Sequence, residues 1–378
     1  MKPLVLIPGG ETEVDFIFAT GFLAETAIYI RFSEDDDVLV ASPMEIDRAK
    51  VQSRARVKLD YDEAGYVDHG GYATFADLAA RMLRERGLHE ARVSPRLAAG
   101  YLDTLRGAGV DVEIAWDLFE RERRRKTEAE ARAIADSQHA AEAAVVSVAR
   151  ELARSEIKDG VLWLDGAPLT SERLYAAAQH ALGELGCTCP DMIIAGSPEC
   201  AMPHYRGTGR LRANEPIIVD IFPSSRATHY FGDLTRTMVV GEVSQEIRKL
   251  HAAVVQALDA GEESIAEGVT GAQVHSAVCQ VLVDRGYGTS TPGFEGAEGG
   301  PKMIHSTGHG VGLEVHESPS LRITFESALV EGDVVTVEPG LYQQGLGGVR
   351  VEDTGMVTKT GFQNFTTLTR SLDPRDYL

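Results

Sequence analysis

The sequence predicts an α/β domain followed by a larger α+β domain that is built from two similar halves. Short strand-like and helix-like segments alternate up to about residue 120, as in a small α/β domain. Beyond residue 127, a capped helix, a second capped helix and a pair of acid-bearing strands occur twice at a nearly constant offset. The 378 residues are enough to bury a large core without disulfides. We therefore predict domains at residues 1–122 and 123–378.

The predicted α/β domain contains two clear strands and one clear helix. The strands run from Ala27 to Phe32 and from Val38 to Ala41, where β-branched and apolar residues dominate. The helix runs from Phe75 to Arg86, and Gly87 lies just beyond its end.

Four predicted helix starts define the two halves of the second domain. Each is a Ser or Thr that precedes a helical pattern, and two have Glu or Gln three residues later, as in a capping box. The caps are Thr127 (with Glu130) and Thr170 or Ser171 in the first half, and Ser244 and Thr270 (with Gln273) in the second half. The first caps lie 117 residues apart and the second caps 100 apart, which predicts an insertion in the first half. The helix that begins at Thr127 is predicted to continue to about Ser155.

Four acidic residues follow the same repeat. Asp220 and Glu338 each end an apolar, strand-like run and lie 118 residues apart, and Asp233 and Glu352 lie 119 apart. A lone carboxylate on a buried strand is unfavourable by several kcal/mol unless it is paired or binds a metal. Two pseudo-equivalent halves would bring the four acids around one internal axis, where their charges would balance two divalent ions.

Each acidic pair is predicted to lie on a hairpin. Asp220 and Asp233 would face each other if paired residue numbers sum to 453, and Glu338 and Glu352 would do so across a Gly-rich turn. The alternative is that each acid pairs with a nearby arginine such as Arg236 or Arg350. That reading is common for one carboxylate and a poor account of all four together.

Charge and composition exclude several classes of protein. With 37 Lys and Arg against 57 Asp and Glu, the net charge of −20 repels a phosphate backbone, so we expect neither a nucleic-acid nor a membrane partner. The first residues carry a four-residue apolar run, Leu4 to Ile7, which is too short for a secretory signal. The four cysteines are too few for a disulfide framework, so we expect a cytoplasmic protein.

The segment from His305 to Glu317 contains three histidines, His305, His309 and His316, interleaved with glycines. We expect these glycines to let the backbone approach a ligand closely. The glycine spacing differs from the Gly-x-Gly-x-x-Gly of dinucleotide loops. His316 and Glu317 also lack the second histidine of a His-Glu-x-x-His zinc motif.

Taken together, these segments resemble the M24 metallopeptidase family with the pita-bread fold, which includes Xaa-Pro dipeptidase (prolidase), aminopeptidase P and methionine aminopeptidase. The matching segments are Pro203-His204-Tyr205, Asp220 to Thr237, His305 to Glu317, Val337 to Gly340, and Gly348 to Asp353. The resemblance covers essentially the whole chain and implies a creatinase-like N-terminal domain before a pita-bread catalytic domain. One departure is an interval between Asp220 and Asp233 that is two residues longer than usual. An even insertion keeps both acids on one face of the hairpin.

The resemblance implies five metal ligands, namely Asp220, Asp233, His309, Glu338 and Glu352. It implies that Asp233 and Glu352 bridge two divalent ions and that His309 and Glu338 complete one of them. Such an oxygen-rich set suits Mn²⁺, with Co²⁺, Fe²⁺ or Zn²⁺ as alternatives. Two ions that share a water would lower its pKa and supply the nucleophile for peptide hydrolysis.

Further roles are also implied by the resemblance. Glu338 is the candidate that accepts the proton of the water, and His204, His305 and His316 are expected to line the substrate pocket and stabilise the oxyanion or transfer protons. Three more residues are candidates for orienting the acids: Arg350 and Thr235, which lie two residues from Glu352 and Asp233, and Tyr230, for which core packing is an equal alternative.

The expected substrate is a small peptide with proline at the second position. The segment from Gly348 to Asp353 resembles the proline-specific branch of the family, and Xaa-Pro dipeptidase is the first interpretation. Aminopeptidase P acting on longer peptides and a non-catalytic binding protein of the same fold are the alternatives. A dipeptidase needs a cation for the free carboxylate of its substrate, and Arg322 is the sequence candidate. A homodimer is expected from the resemblance.

Overall fold

The computed structural model of the chain describes residues 2–9, 13–66 and 74–378. It divides into two compact units, Met1–Arg121 and Glu122–Leu378. The predicted fold class, an α/β unit and a duplicated α+β unit, is confirmed. Across the described ranges, every helix is too short or too polar to cross a lipid bilayer.

The first unit is a six-stranded mixed sheet with the order β4-β3-β2-β1-β5-β6. Its strands are β1 (Leu4–Leu6), β2 (Ala27–Arg31), β3 (Asp37–Ala41), β4 (Val57–Asp60), β5 (Glu90–Val93) and β6 (Asp111–Ile114). Its helices are α1 (Val14–Thr20), α2 (Ile46–Gln52), α3 (Phe75–Glu85) and α4 (Ala99–Gly107), and α5 (Glu120–Arg124) leads into the second unit. The predicted strands and helix are present, each with one end shifted by a residue.

Both faces of this sheet are covered, because successive side chains of a strand point to opposite sides. Val5 of β1 packs in a core with residues of α3, whereas Leu4 and Leu6 pack in a second core with residues of α1 and α2.

The second unit contains four long helices and several small sheets. The helices are α6 (Glu128–Arg154), α7 (Ser171–Glu184), α8 (Gln245–Ser264) and α9 (Gly271–Asp284), and two 3₁₀ turns lie at Glu199–Ala201 and Pro374–Tyr377. The strands before α8 are β7 (Glu156–Lys158), β8 (Val161–Leu164), β9 (Ala167–Pro168), β10 (Cys187–Thr188), β11 (Ile193–Gly196), β12 (Ile217–Ile221), β13 (Ser224–Ser225) and β14 (Leu234–Met238). Those after α9 are β15 (Gly288–Thr289), β16 (Lys302–Met303), β17 (Gly308–Gly310), β18 (Glu317–Leu321), β19 (Val334–Val337), β20 (Gly340–Gln343), β21 (Gly347–Arg350), β22 (Asp353–Thr358) and β23 (Gly361–Asn364).

Each half of this unit has its own core. Helices α6 and α7 pack with β12 and β14 in one core, and α8 and α9 pack with β19, β21 and β22 in the other. All four predicted caps accept a hydrogen bond from the first turn of their helix, with Thr170 rather than Ser171 at the start of α7. The predicted insertion in the first half corresponds to the three-stranded sheet β7-β8-β9, which lies between α6 and α7.

Candidate metal centre

Two acid-bearing hairpins of the second unit face a common cavity. One is formed by β12 and β14, and the other runs from β19 through β20 and β21 to β22. The cavity has a volume of about 580 Å³. Its lining includes all of the acids and histidines singled out from the sequence, namely Asp220, Asp233, Glu338, Glu352, His204, His305, His309 and His316.

The first hairpin pairs two residues away from the predicted register. Asp220 lies opposite Thr235 and Ile221 lies opposite Leu234, so paired residue numbers sum to 455 rather than 453. The predicted direct pairing of Asp220 with Asp233 is therefore wrong. Because side chains alternate with a period of two, a shift of two residues still leaves both acids on one face. Asp233 lies immediately before β14 and lines the cavity from there.

The second hairpin keeps a single register although it contributes to two sheets. Val337 lies opposite Asp353 in one sheet and Gly340 lies opposite Arg350 in the other, so residue numbers sum to 690 in both. Glu338 and Glu352 also sum to 690 and lie where the hairpin passes from one sheet to the other. The hairpin predicted to carry these two acids is therefore present.

The acids of the cavity are buried and close enough to repel one another. Burial, followed by the charges of Asp220 and Glu338, raises the pKa of Asp233 well above its usual value. Burial, followed by the charges of Asp233 and Glu338, does the same for the pKa of Glu352. Burial raises the pKa of Glu338 to about 8. Such a cluster is unfavourable when it is ionised, unless cations neutralise it.

His309 presents one ring nitrogen to these acids. Its Nδ1 donates to the carbonyl of Gly310 over 3.1 Å, which leaves Nε2 with a free lone pair. Nε2 lies 3.6 Å from Asp233 Oδ2 and 3.6 Å from Glu338 Oε1. Burial lowers the pKa of His309 to about 3, so the imidazole is neutral at pH 7. Ligand atoms of Asp233, His309 and Glu352 all lie within 4.8 Å of one another.

Two of these acids are held by side chains of the opposite half. Thr235, on β14, donates to Glu352 Oε2 over 2.7 Å. Arg350, on β21, donates from Nη2 to Asp220 Oδ2 over 2.5 Å. We expected each to orient an acid near it in the sequence, and the hydrogen bonds instead cross between the halves. The arginine pairing considered for single acids is therefore present for Asp220, whereas Arg236 bonds to Asp353.

Tyr342 connects this network to His305 and was missed in the sequence. Arg350 Nη1 donates to the Tyr342 hydroxyl over 2.7 Å, and that hydroxyl lies 2.9 Å from His305 Nε2. Because His305 Nδ1 donates to the carbonyl of Ser306, its Nε2 accepts the Tyr342 proton. Both ring nitrogens of His305 are thus engaged. The register of the second hairpin places Tyr342 diagonal to Arg350, and this pairing was the signal that could have identified it.

The other two histidines lie at more open positions. The ring of His316 packs edge-on against His309 with centroids 4.2 Å apart. His204 is exposed and follows a 3₁₀ turn. Both line the cavity, so each is available to a bound molecule.

Tyr230 has a different setting from the one expected for a residue that orients the acids. Its hydroxyl donates to Glu130 Oε1, in the first turn of α6, over 2.7 Å. The ring packs with Ile134 and Val311 and is not among the residues that line the cavity. The alternative of core packing describes this environment.

The glycines next to His309 permit close packing of strands. A Cβ at Gly308 would overlap the carbonyl of Thr336 on β19, and a Cβ at Gly310 would overlap the backbone of Ser318 on β18. The expectation that these glycines admit a ligand is therefore wrong for both positions. They allow β17 to lie tightly between its neighbours, which fixes the position of His309.

The donor set fits divalent cations. Four carboxylates and a neutral imidazole line one cavity, and the charge of Arg350 offsets part of that of Asp220. Carboxylate oxygens with one imidazole nitrogen suit first-row divalent ions such as Mn²⁺. Thr235 and Arg350 hold two of the acids, as the hydrogen bonds around metal sites commonly do.

Comparison with known proteins identifies a family and several relatives that this chain resembles. A family model described as metallopeptidase family M24 matches residues 132–359. An Xaa-Pro dipeptidase of Pyrococcus furiosus is 35% identical over 183 residues, which are 48% of this chain and 49% of that protein. An Xaa-Pro dipeptidase of Lactobacillus delbrueckii is 31% identical over 183 residues, or 48% of this chain and 46% of that protein. These alignments therefore span about half the length of the curated relatives.

Solved structures share the fold over nearly the whole chain. An Xaa-Pro dipeptidase from Bacillus anthracis aligns with a TM-score of 0.82 at 22% identity, covering 98% of this chain and 94% of that one. An X-Pro aminopeptidase from Thermotoga maritima aligns with a TM-score of 0.80 at 23% identity, covering 98% and 95%. At these identities the likeness establishes the fold, which is as similar to the dipeptidase as to the aminopeptidase.

Proposed function

Because the chain belongs to metallopeptidase family M24, we propose that it hydrolyses peptide bonds with two divalent ions held by its cavity acids. Asp220, Asp233, His309, Glu338 and Glu352 would hold the ions. The observation that carries this proposal is the convergence of four carboxylates and the free Nε2 of His309 on one cavity. Divalent ions in such a site supply an activated water and polarise the scissile carbonyl.

The residues of the chain itself perform the remaining tasks. Glu338 accepts a proton from the attacking water and passes it to the leaving nitrogen, a role supported by its place among the acids that line the cavity. His204 and His316 line the cavity and contact the substrate there, where they stabilise the developing oxyanion or transfer protons. His305 lines the same cavity and acts together with Tyr342, to which it is hydrogen-bonded.

The proposed substrate is a dipeptide with proline at its second position. Curated relatives named Xaa-Pro dipeptidase, at 35% identity over about half their length, support this choice. Cleavage of longer peptides, as by an aminopeptidase P, is the second candidate, since a solved X-Pro aminopeptidase shares the fold. We further propose Mn²⁺ as the ion, in view of the oxygen-rich donor set.

We propose a cytoplasmic homodimer whose N-terminal residues 1–122 form the creatinase-like domain and whose residues 123–378 form the catalytic domain. The cytoplasmic assignment is supported by four free cysteines, Cys187, Cys189, Cys200 and Cys279. The dimer follows from resemblance to the proline-specific branch, and sedimentation of the purified chain tests it.

Metal removal tests the function. The purified protein is stripped with a chelator, reloaded with Mn²⁺ and assayed on Ala-Pro, Ala-Pro-Ala and Met-Ala-Ser. We expect cleavage of Ala-Pro that is lost on stripping and returns with Mn²⁺. Glu338→Gln should lower kcat at least about a hundredfold, whereas the exposed control Glu326→Gln should match the wild type. Cleavage of Ala-Pro-Ala would indicate the aminopeptidase, and absence of any metal-dependent cleavage would remove the peptidase proposal.

A further inference from the structure

The positive charges of the cavity are unequally available to a bound molecule. Arg350 is buried and already bonded to Asp220, Tyr342 and Thr235. Both ring nitrogens of His305 are bonded, to Ser306 and to Tyr342, and the ring of His309 lies between the carbonyl of Gly310 and the acids Asp233 and Glu338. Arg206 also lines the cavity, and 58% of its side chain is exposed to solvent. Within the described lining, Arg206 is therefore the permanent positive charge that faces solvent.

One side of the Arg206 guanidinium is fixed to the cavity wall. Nη1 donates to the carbonyl of Asp191 over 2.5 Å and lies 3.0 Å from the carboxylate Oδ1 of the same residue. Asp191 lies just before β11, whose first residue Ile193 also lines the cavity. These contacts occupy Nη1, and among the described residues Nε and Nη2 remain for another acceptor. A guanidinium that is oriented in advance loses less entropy when it binds a carboxylate.

The arginine that the sequence suggested for substrate binding lies elsewhere. Arg322 follows β18, is exposed and is not among the residues that line the cavity. Its position after the His316 segment therefore does not bring it to the site. Arg206 reaches the cavity because it follows His204 by two residues on the same connecting segment.

We propose, on the basis of the proposed function, that Arg206 binds the free C-terminal carboxylate of the substrate and thereby favours dipeptides. In a dipeptide this carboxylate belongs to the residue that leaves, so it stays inside the cavity. A longer peptide places its carboxylate further out and presents a neutral amide instead. Pro203, Ile193 and Phe222 also line the cavity, and their apolar surface cannot compensate the charge of a carboxylate.

Matched substrates and variants test this assignment in the Mn²⁺-loaded enzyme. Ala-Pro and its amide Ala-Pro-NH₂ differ in the carboxylate, and Ala-Pro-Ala with its amide moves that group one residue outward. The variants are Arg206→Met and Arg206→Lys. Arg212→Met is the control, because Arg212 lies on the same segment, is 62% exposed and does not line the cavity.

We expect the wild type to prefer Ala-Pro over Ala-Pro-NH₂ through KM. Arg206→Met should raise KM for Ala-Pro about tenfold, the typical effect of a lost charged hydrogen bond, and leave KM for the amide and kcat unchanged. Arg206→Lys should recover part of the preference, and Arg212→Met should behave as the wild type.

Three results would overturn the proposal. If Arg206→Met changed KM equally for Ala-Pro and Ala-Pro-NH₂, Arg206 would not bind the carboxylate. If Arg206 set the preference for Ala-Pro-Ala over its amide, but not that for Ala-Pro over its amide, the proposed selectivity for dipeptides would be wrong. Failure of the wild type to cleave Ala-Pro in Mn²⁺ would instead reject the proposed function itself, and the Arg206 assignment with it.

Discussion

Single residues set the electrostatics of the cavity through a few hydrogen bonds. Thr235 is fully buried, donates to Glu352 Oε2 and accepts from Arg350 Nε. Loss of this hydroxyl would leave an oxygen of the buried Glu352 without this donor. The hydroxyl thus contributes to the orientation of an acid that it does not neighbour in sequence.

Thr235→Val removes the hydroxyl and keeps the shape of the side chain. We expect the affinity for Mn²⁺ to fall about 10- to 100-fold, as is typical when a partner of a metal ligand is lost. Calorimetric titration of the stripped protein measures this affinity. Thr20→Val is the control, because Thr20 is equally buried and hydrogen-bonded but lies in the first unit. An unchanged affinity in Thr235→Val would contradict the role of this bond.

The acids also make the metal-free protein sensitive to pH. The pKa values of Asp233 and Glu352 are raised in the folded state, and that of Glu338 is raised to about 8. From pH 7 to 8 the folded state therefore binds more protons than the unfolded state, and stability falls as pH rises. Histidines with lowered pKa values, such as His309, affect stability below pH 6.5. There the unfolded state binds more protons than the folded state, so stability rises with pH.

Thermal unfolding of the stripped protein at pH 7.0 and 8.0 checks this expectation. The unfolding temperature should be lower at pH 8.0, and Glu338→Gln should reduce the difference, because one titrating acid is gone. An unfolding temperature that rises with pH in this window would contradict the raised pKa values.

At the level of elements, the segment before α6 is fastened to the strand that follows His316. Lys126 Nζ lies 2.6 Å from Glu317 Oε1, and Arg123 lies 2.5 Å from Glu317 Oε2. The side chains of Lys126 and Glu317 are 2% and 5% exposed, so this is a buried ion pair. Because Glu317 follows His316 directly, the pair holds one end of the histidine segment.

Lys126→Met would remove one of the two cations that pair with the buried carboxylate of Glu317, the other being Arg123. We expect the free energy of unfolding to fall by about 3 kcal/mol, the lower end for breaking one side of a buried pair. Denaturant titration measures this change. Lys158→Met is the control, because the side chains of Lys158 and its partner Glu156 are 50% and 72% exposed, and loss of this pair should change stability by less than about 1 kcal/mol.

Elements that depend on local sequence patterns were predictable, and those that depend on tertiary contacts were not. The capped helix starts are local patterns, so Thr127, Ser244 and Thr270 were identified correctly, and the start of α7 was predicted to within one residue, as Thr170 or Ser171. The register of the first hairpin depends on the loop between β12 and β14, which contains the short strand β13 and pairs with β10. That loop is a tertiary feature, and the predicted register was therefore two residues away from the observed one.

For the whole molecule, the duplicated pattern of the sequence predicted two halves and the convergence of their acids. It did not predict which side chain would support which acid, because Thr235 and Arg350 meet their partners only after the two hairpins come together. Tyr342 was missed for a different reason: it lies diagonal to Arg350 on the same hairpin, where the local pairing could have identified it, and only its second partner, His305, comes from another part of the fold.

The crossed support of the acids makes the two halves unequal and mutually dependent. Asp220, in the first half, is held by a cation, Arg350. Glu352, in the second half, is held by the neutral hydroxyl of Thr235. The first half in isolation would keep Asp220 and lose Arg350, which orients it, and the second half would keep Glu352 and lose Thr235. Each half has a core of its own, but both halves must be present together for Asp220 and Glu352 to have these hydrogen-bond partners.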